Sequence, residues 1–108
     1  MADMRGRRDR EAEAQDAFRA VILCERRGRS IRTEQERAAL AALSVLDAEG
    51  RTGIVDAVRE IYGRVGTVED NVIRYCTENF VARATVYRWL RMARDIYVAI
   101  RYPRGFER

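Results

Sequence analysis

The sequence predicts an all-α chain of about five helices, and three observations carry that prediction. Apolar residues recur at the three-to-four spacing of one helix face through almost the whole length. Strict strand alternation occurs only at Ile96, Val98, Ile100 and Tyr102, and this stretch fits a helix through Leu90, Ala93, Tyr97 and Ile100 equally well. The helix is the preferred reading there, with a terminal strand or wing as the minority one. There is one proline, and the glycines at 28, 50, 53, 63 and 66 punctuate the periodic segments.

Each element has its own local justification. Residues 1–8 are polar and arginine-rich and read as a mobile basic arm. Asp9–Arg27 places Ala14, Ala17, Phe18, Val21 and Ile22 on one stripe and stops at Gly28. Thr33-Glu34-Gln35-Glu36 has the form of a capping box, in which the threonine oxygen accepts the third amide and Glu36 reaches back. It opens a second helix to about Ala48, carrying Leu40, Leu43, Val45 and Leu46 and closed by Gly50. Thr52 is expected to cap a third helix holding Ile54, Val55, Val58, Ile61, Tyr62 and Val65, ended by Gly63 and Gly66. Thr67-Val68-Glu69-Asp70 opens a fourth, with acids in the first turn where the helix dipole favours them. That helix carries Val72, Ile73, Tyr75 and Cys76, breaks near Asn79-Phe80, and gives way to a fifth beginning around Ala82–Ala84. The expected organisation is an N-terminal helical pair, 9–50, for support or dimerisation, and a three-helix functional region, 51–108.

Composition removes several function classes. A chain of 108 residues with 47% hydrophobic content is one domain with a real core. No apolar run reaches the length of a membrane span and the N-terminus lacks an apolar leader, which predicts a cytoplasmic protein without membrane association. Histidine is absent, and Cys24 and Cys76 lie far apart in helical patterns, so both are expected reduced and no metal site is expected. The carboxylate pairs Glu34/Glu36 and Glu69/Asp70 are explained by helix N-termini. With no nucleophile pair and no glycine-rich phosphate loop, neither catalysis nor a cofactor is expected.

All 21 basic residues are arginine, which reads first as the codon drift of a GC-rich genome and only second as selection for bidentate contacts. Their distribution says more. Residues 1–50 carry ten arginines and ten acids, whereas from Asn79 onward seven arginines face only Asp95 and Glu107, a net charge of +5. The excess coincides with Val81–Arg91, where Val86, Trp89 and Leu90 turn one way on a helix and Arg83, Tyr87 and Arg91 another. A helix apolar behind and guanidinium-rich in front suits the major groove, because arginine serves both phosphates and guanine edges.

The fourth and fifth helices with their short break, Val72–Arg91, resemble a helix-turn-helix DNA-binding unit, and Arg83-Ala84-Thr85-Val86-Tyr87-Arg88-Trp89-Leu90-Arg91 is similar to the reading helix of resolvases and repressors. With Val86 as buried anchor, Val81 takes the apolar turn position, Tyr75 the apolar position of the preceding helix, and Cys76 the small-residue position where the helices cross. Two departures stand out. Phe80 occupies the turn position usually held by glycine, so Asn79 is expected to adopt the left-handed conformation in its place. Ala82 stands where a hydroxyl N-cap is common.

The resemblance implies that Arg83, Tyr87 and Arg88 face base edges, that Thr85 offers a methyl or hydroxyl, and that Arg91, Arg94 and Arg74 meet the phosphate backbone. Arg5, Arg7, Arg8 and Arg10 of the arm are candidates for a minor groove. It implies double-stranded DNA as partner and a homodimer, most simply a transcriptional regulator. The alternatives are a small helical adaptor with a protein partner, or a packaging or recombination subunit using the same hairpin.

Overall fold

The computed structural model describes the backbone of residues 2–103 and the side chains of residues 6 and 8–103. Five helices follow one another among the described residues: α1 (Ala2–Arg27), α2 (Glu34–Ala48), α3 (Thr52–Tyr62), α4 (Val68–Asn79) and α5 (Arg83–Arg101). No strand occurs among them, and Ile96–Arg101 continues α5. Helix α1 starts seven residues before the expected Asp9, so residues 2–8 form its first turns rather than a separate arm. The side chains of Arg5 and Arg7 lie outside the described residues.

Three helices end in the same way. At Gly28, Gly50 and Phe80 the backbone turns left-handed, with φ of 67°, 79° and 56°. In each case the next amide returns to a carbonyl five residues back: Arg29 to Cys24, Arg51 to Leu46, and Val81 to Cys76. Helix α2 opens as expected, with the reciprocal Thr33–Glu36 capping box. Helix α3 does not: Thr52 is its first helical residue, and Arg51 sits at the cap without a side-chain bond. The turn at Gly50 leads so directly into α3 that no residue remains between Arg51 and the helix to act as a separate cap.

One core serves all five helices. Phe18 of α1 stacks on Tyr62 of α3, centroids 5.9 Å apart, and lies tilted against Tyr97 of α5 at 6.0 Å. Ala14, Ala17, Val21 and Ile22 complete the α1 contribution, so the expected stripe is spent inside the same chain. Helix α2 packs through Ala38, Ala39, Ala42, Leu43 and Leu46 rather than through Leu40 and Val45, which are exposed. The alanines let α2 approach closely on the face they share with Leu43 and Leu46, which leaves Leu40 and Val45 outside. The inner faces of α1 and α2 are thus covered within the chain itself.

Polar ties fix the ends of α3. Arg19 Nε donates to the Tyr62 carbonyl at 3.2 Å, and Arg26 donates to the Gly63 carbonyl, so two α1 arginines satisfy the last carbonyls of α3. Gly63 is required there, because a Cβ would collide with the Arg59 carbonyl oxygen, a backbone atom that cannot move aside, and fall 3.0 Å from Ile22. Asn71 is the one buried polar residue outside the aromatic set among the described residues; its Nδ2 donates to Ile61 O at 2.9 Å and Arg64 O at 3.3 Å. Sequence reading overlooked it, since an asparagine on α4 looks like ordinary helix surface. Val65, expected in α3, lies beyond its end and is 98% exposed. At the far end of the molecule the Glu13 carboxylate accepts bonds from the Tyr97 and Tyr102 hydroxyls, with Arg101 Nε 3.4 Å away. Burial and this carboxylate push the Tyr97 hydroxyl well above the usual phenol range.

Candidate nucleic-acid interface

Helices α4 and α5 meet through a three-residue junction whose geometry follows from a few side chains. Val72 and Tyr75 of α4 are buried, as are Val86, Leu90, Ala93 and Tyr97 of α5, while Cys76 and Val81 are half-buried against the same core. The Tyr75 hydroxyl donates to Asp56 Oδ2 at 3.2 Å and ties α4 to α3. Burial, then the Asp56 charge, pushes that phenol up to about 12. At the turn it is Phe80, not Asn79, that adopts the left-handed conformation. Asn79 stays helical and its Nδ2 bonds back to the Tyr75 carbonyl at 3.0 Å. The helix thus runs to its natural end, and the phenylalanine is left in the position suited to glycine. Its ring gains nothing in return, being 94% exposed.

The start of α5 is equally unadorned. Ala82 is its N-cap with extended backbone and no side-chain bond, and no acid stands in the first turn. The first amides of α5 therefore have no side-chain acceptor at the cap. Arg83, a cation, occupies the first turn, where the helix dipole opposes it. Helix α4 is the contrary case, with Thr67 capping the Asp70 amide at 3.1 Å and Glu69 and Asp70 in its first turn.

The candidate residues divide into three groups. Arg83, Ala84, Tyr87, Arg88 and Arg91 are all exposed; Ala84, Arg88 and Arg91 fall on the side of α5 opposite its buried stripe, and Tyr87 on its flank. Arg83, Arg88 and Arg91 take part in no ion pair among the described residues. Arg74 is exposed on α4, alongside the acids of that helix, and Thr85 is half-buried at the edge of the α5 face. Arg94 belongs elsewhere: it is half-buried, its Nη1 donates to the Tyr62 hydroxyl at 3.2 Å, and its Nε is enclosed without a partner. It braces α5 against α3, which a count of residues along one face could not reveal. Trp89, expected in the core, is half-buried with its ring against Gly53 at the start of α3.

Of the arm, Arg10 lies over the Tyr102 ring at 4.5 Å and so belongs to the α1–α5 contact. Both cysteines are free, Cys24 buried and Cys76 half-buried. No helix among the described residues is long and apolar enough to cross a membrane. No protein-family model, curated protein or solved structure matches this chain.

Proposed function

We propose that this chain binds double-stranded DNA in a sequence-specific manner, reading the major groove with the N-terminal half of α5, and acts as a cytoplasmic transcriptional regulator working as a homodimer. The observation that carries this reading is the exposed α5 face of Arg83, Ala84, Tyr87, Arg88 and Arg91, whose three guanidinium groups have no internal partner among the described residues. A set of unpaired arginines around an aromatic residue and an alanine offers both phosphate contacts and base-edge contacts. The uncapped amides at the start of α5 add a place for a phosphate oxygen. Arg88 is assigned to a guanine edge, with Arg83 and Tyr87 beside it; Thr85 contributes at the margin. Arg91 and Arg74 are assigned to backbone. Arg94 is withdrawn from the contact set because it is engaged with Tyr62.

Binding of the full chain to mixed-sequence duplex DNA, followed by fluorescence anisotropy across a salt series, tests the reading. Several neutralised phosphates give a log–log slope of about −4 or steeper. Arg88→Ala is expected to lower specific affinity by about 1–3 kcal/mol while leaving Tm nearly unchanged. Arg94→Ala is expected to do the reverse, losing stability and little affinity. No binding at low salt would sink the proposal and favour a helical adaptor, to which the exposed Phe80 and Val65 also lend themselves.

A further inference from the structure

The first fifty residues carry no net charge, yet the charge within them is segregated. Residues 9–25 of α1 hold five acids against Arg10 and Arg19, whereas residues 26–37, which end α1 and open α2, hold five arginines against Glu34 and Glu36. The loop between the two helices is firmly seated. Gly28 turns it left-handed at φ 67°, the Arg29 amide returns to the Cys24 carbonyl at 2.9 Å, and Ile31 packs against the core. The Arg32 amide donates to Glu36 Oε1 at 2.8 Å, and Arg37 Nη1 donates to the Arg32 carbonyl at 3.3 Å. One short segment thus displays Arg27, Arg29, Arg32 and Arg37, all of them exposed.

The acids that flank this segment are committed elsewhere. Glu25 pairs with Arg59, and Glu34 with Arg101 at 3.6 Å. Glu36 alone stays within the segment. Its carboxylate accepts from the Arg32 and Thr33 amides, and those bonds, then the charges of Arg29 and Arg32 beside it, hold its carboxyl below the usual range. One carboxylate among four guanidinium groups leaves a positive patch, and none of the four arginines takes part in an ion pair among the described residues. Planar forks of donors in such a cluster suit the oxygens of phosphate groups.

We propose that the α1–α2 loop is a second duplex-binding surface, which takes the phosphate backbone of a separate DNA segment through Arg29, Arg32 and Arg37 with Arg27 beside them, so that one chain bridges two duplexes. The bridge rests on the DNA reading of α5, whose own face it leaves free. Arg37 lines one groove with Ile100 and Arg101, so the patch sits at the C-terminal end of α5. At 1.5 Å per residue, Arg88 lies about 20 Å and Arg83 about 27 Å from Arg101 along the helix axis. The major groove is only about 8.5 Å deep. A helix that enters it with its N-terminal turns therefore carries its other end, and the patch, clear of the same duplex.

A capture assay decides the matter: one duplex is immobilised on beads, the full chain is added at low salt, and a second, fluorescent duplex of mixed sequence is offered. Wild type is expected to hold the second duplex. The triple variant Arg29→Ala, Arg32→Ala, Arg37→Ala is expected to lose that capture about tenfold or more, while its anisotropy-measured affinity for a single short duplex changes less than about threefold. Lysine at the same three positions keeps the charge and is expected to retain capture, which separates lost contacts from lost folding. Capture that survives the alanine variant, as two copies joined with one α5 on each duplex would give, overturns the proposal and leaves the α5 reading standing. So does a wild-type chain that binds one duplex and captures no second. The α5 reading fails separately: if Arg83→Ala, Arg88→Ala, Arg91→Ala together spare single-duplex affinity and the loop variant abolishes it, the patch keeps its duplex, and the bridge falls with the reading helix.

Discussion

Replacing Phe80 with glycine is expected to stabilise the protein, although it deletes the largest side chain at the α4–α5 junction. Phe80 sits at φ 56°, ψ 46°, where a side chain crowds its own backbone. That geometry costs roughly 1–2 kcal/mol for a residue other than glycine. Normally a buried ring would offset the cost, but this one is 94% exposed, so removing it forfeits almost no packing. Glycine gives back about 0.5–1 kcal/mol through the greater freedom of the unfolded chain. The net gain is about 0.5–1 kcal/mol, or a rise in Tm of roughly 2–8 °C at this chain length. Thermal unfolding followed by circular dichroism measures it, with Phe80→Ala as the control that removes the ring and keeps the Cβ. Alanine is expected to leave Tm within about 0.5 kcal/mol of wild type. If glycine proved no more stabilising than alanine, the strain would not exist, and the turn would have to be formed at another residue, such as Asn79.

Other perturbations address other parts of the molecule. Asn71→Ala is expected to cost about 1–3 kcal/mol in urea unfolding, because it leaves the Ile61 and Arg64 carbonyls without their donor. Stability is expected to fall as pH rises from 10 towards 12: Tyr75 is raised to about 12 in the fold from 10.0, so its contribution is complete below pH 10 and is lost as the folded phenol ionises. Urea midpoints measured over that range should fall less steeply in Tyr75→Phe, with the remaining slope coming from the other raised phenols, Tyr97 among them. Ala82→Asp supplies the missing cap of α5 and is expected to add about 1 kcal/mol to stability. The same carboxylate stands where a phosphate would approach, so anisotropy should show weaker DNA binding; unchanged affinity would place the α5 N-terminus outside the contact.

What the sequence made legible was whatever depends on neighbours along the chain. The Thr33–Glu36 box, the glycine ends at 28 and 50, and the continuation of α5 through Ile96–Arg101 all follow from local spacing, and the structure has them. Three of the misreadings have a common cause: each was decided by contacts between helices. Helix α2 offers both alanines and larger residues on adjacent sides, and only the close approach to its neighbours selects the alanine face, turning Leu40 and Val45 outward. Arg94 lies on α5 between the buried stripe and the exposed face, and the hydroxyl of Tyr62, 32 residues away in sequence, draws it inward. Asn71 gave no signal, because the carbonyls it satisfies belong to the end of another helix. The exposed arginines were legible for the opposite reason. Nothing in the fold competes for Arg83, Arg88 or Arg91, so periodicity alone placed them.

The α4–α5 junction is the part of the chain where local stability is given up most consistently. Three departures adjoin one another within four residues: a phenylalanine in a glycine conformation, an alanine where a cap belongs, and an arginine in the first turn against the dipole. Helices α2 and α4 observe these rules, with caps at Thr33 and Thr67 and acids in the first turn, and α1 and α2 end at glycine; α3 also opens without a side-chain cap or an acid, but its preceding turn is a relaxed one at Gly50. Each departure is correctable by one substitution without disturbing the core, since Phe80, Ala82 and Arg83 are all exposed. Local conflicts that packing does not require are the kind that functional sites retain. Under the DNA reading all three have one explanation: the uncapped amides face a phosphate backbone that satisfies them, Arg83 faces the base edges beside Arg88, and the strained turn holds α5 at the angle that presents them. A purely structural hairpin offers no such account of why the costs cluster at this end of α5 and not at the other.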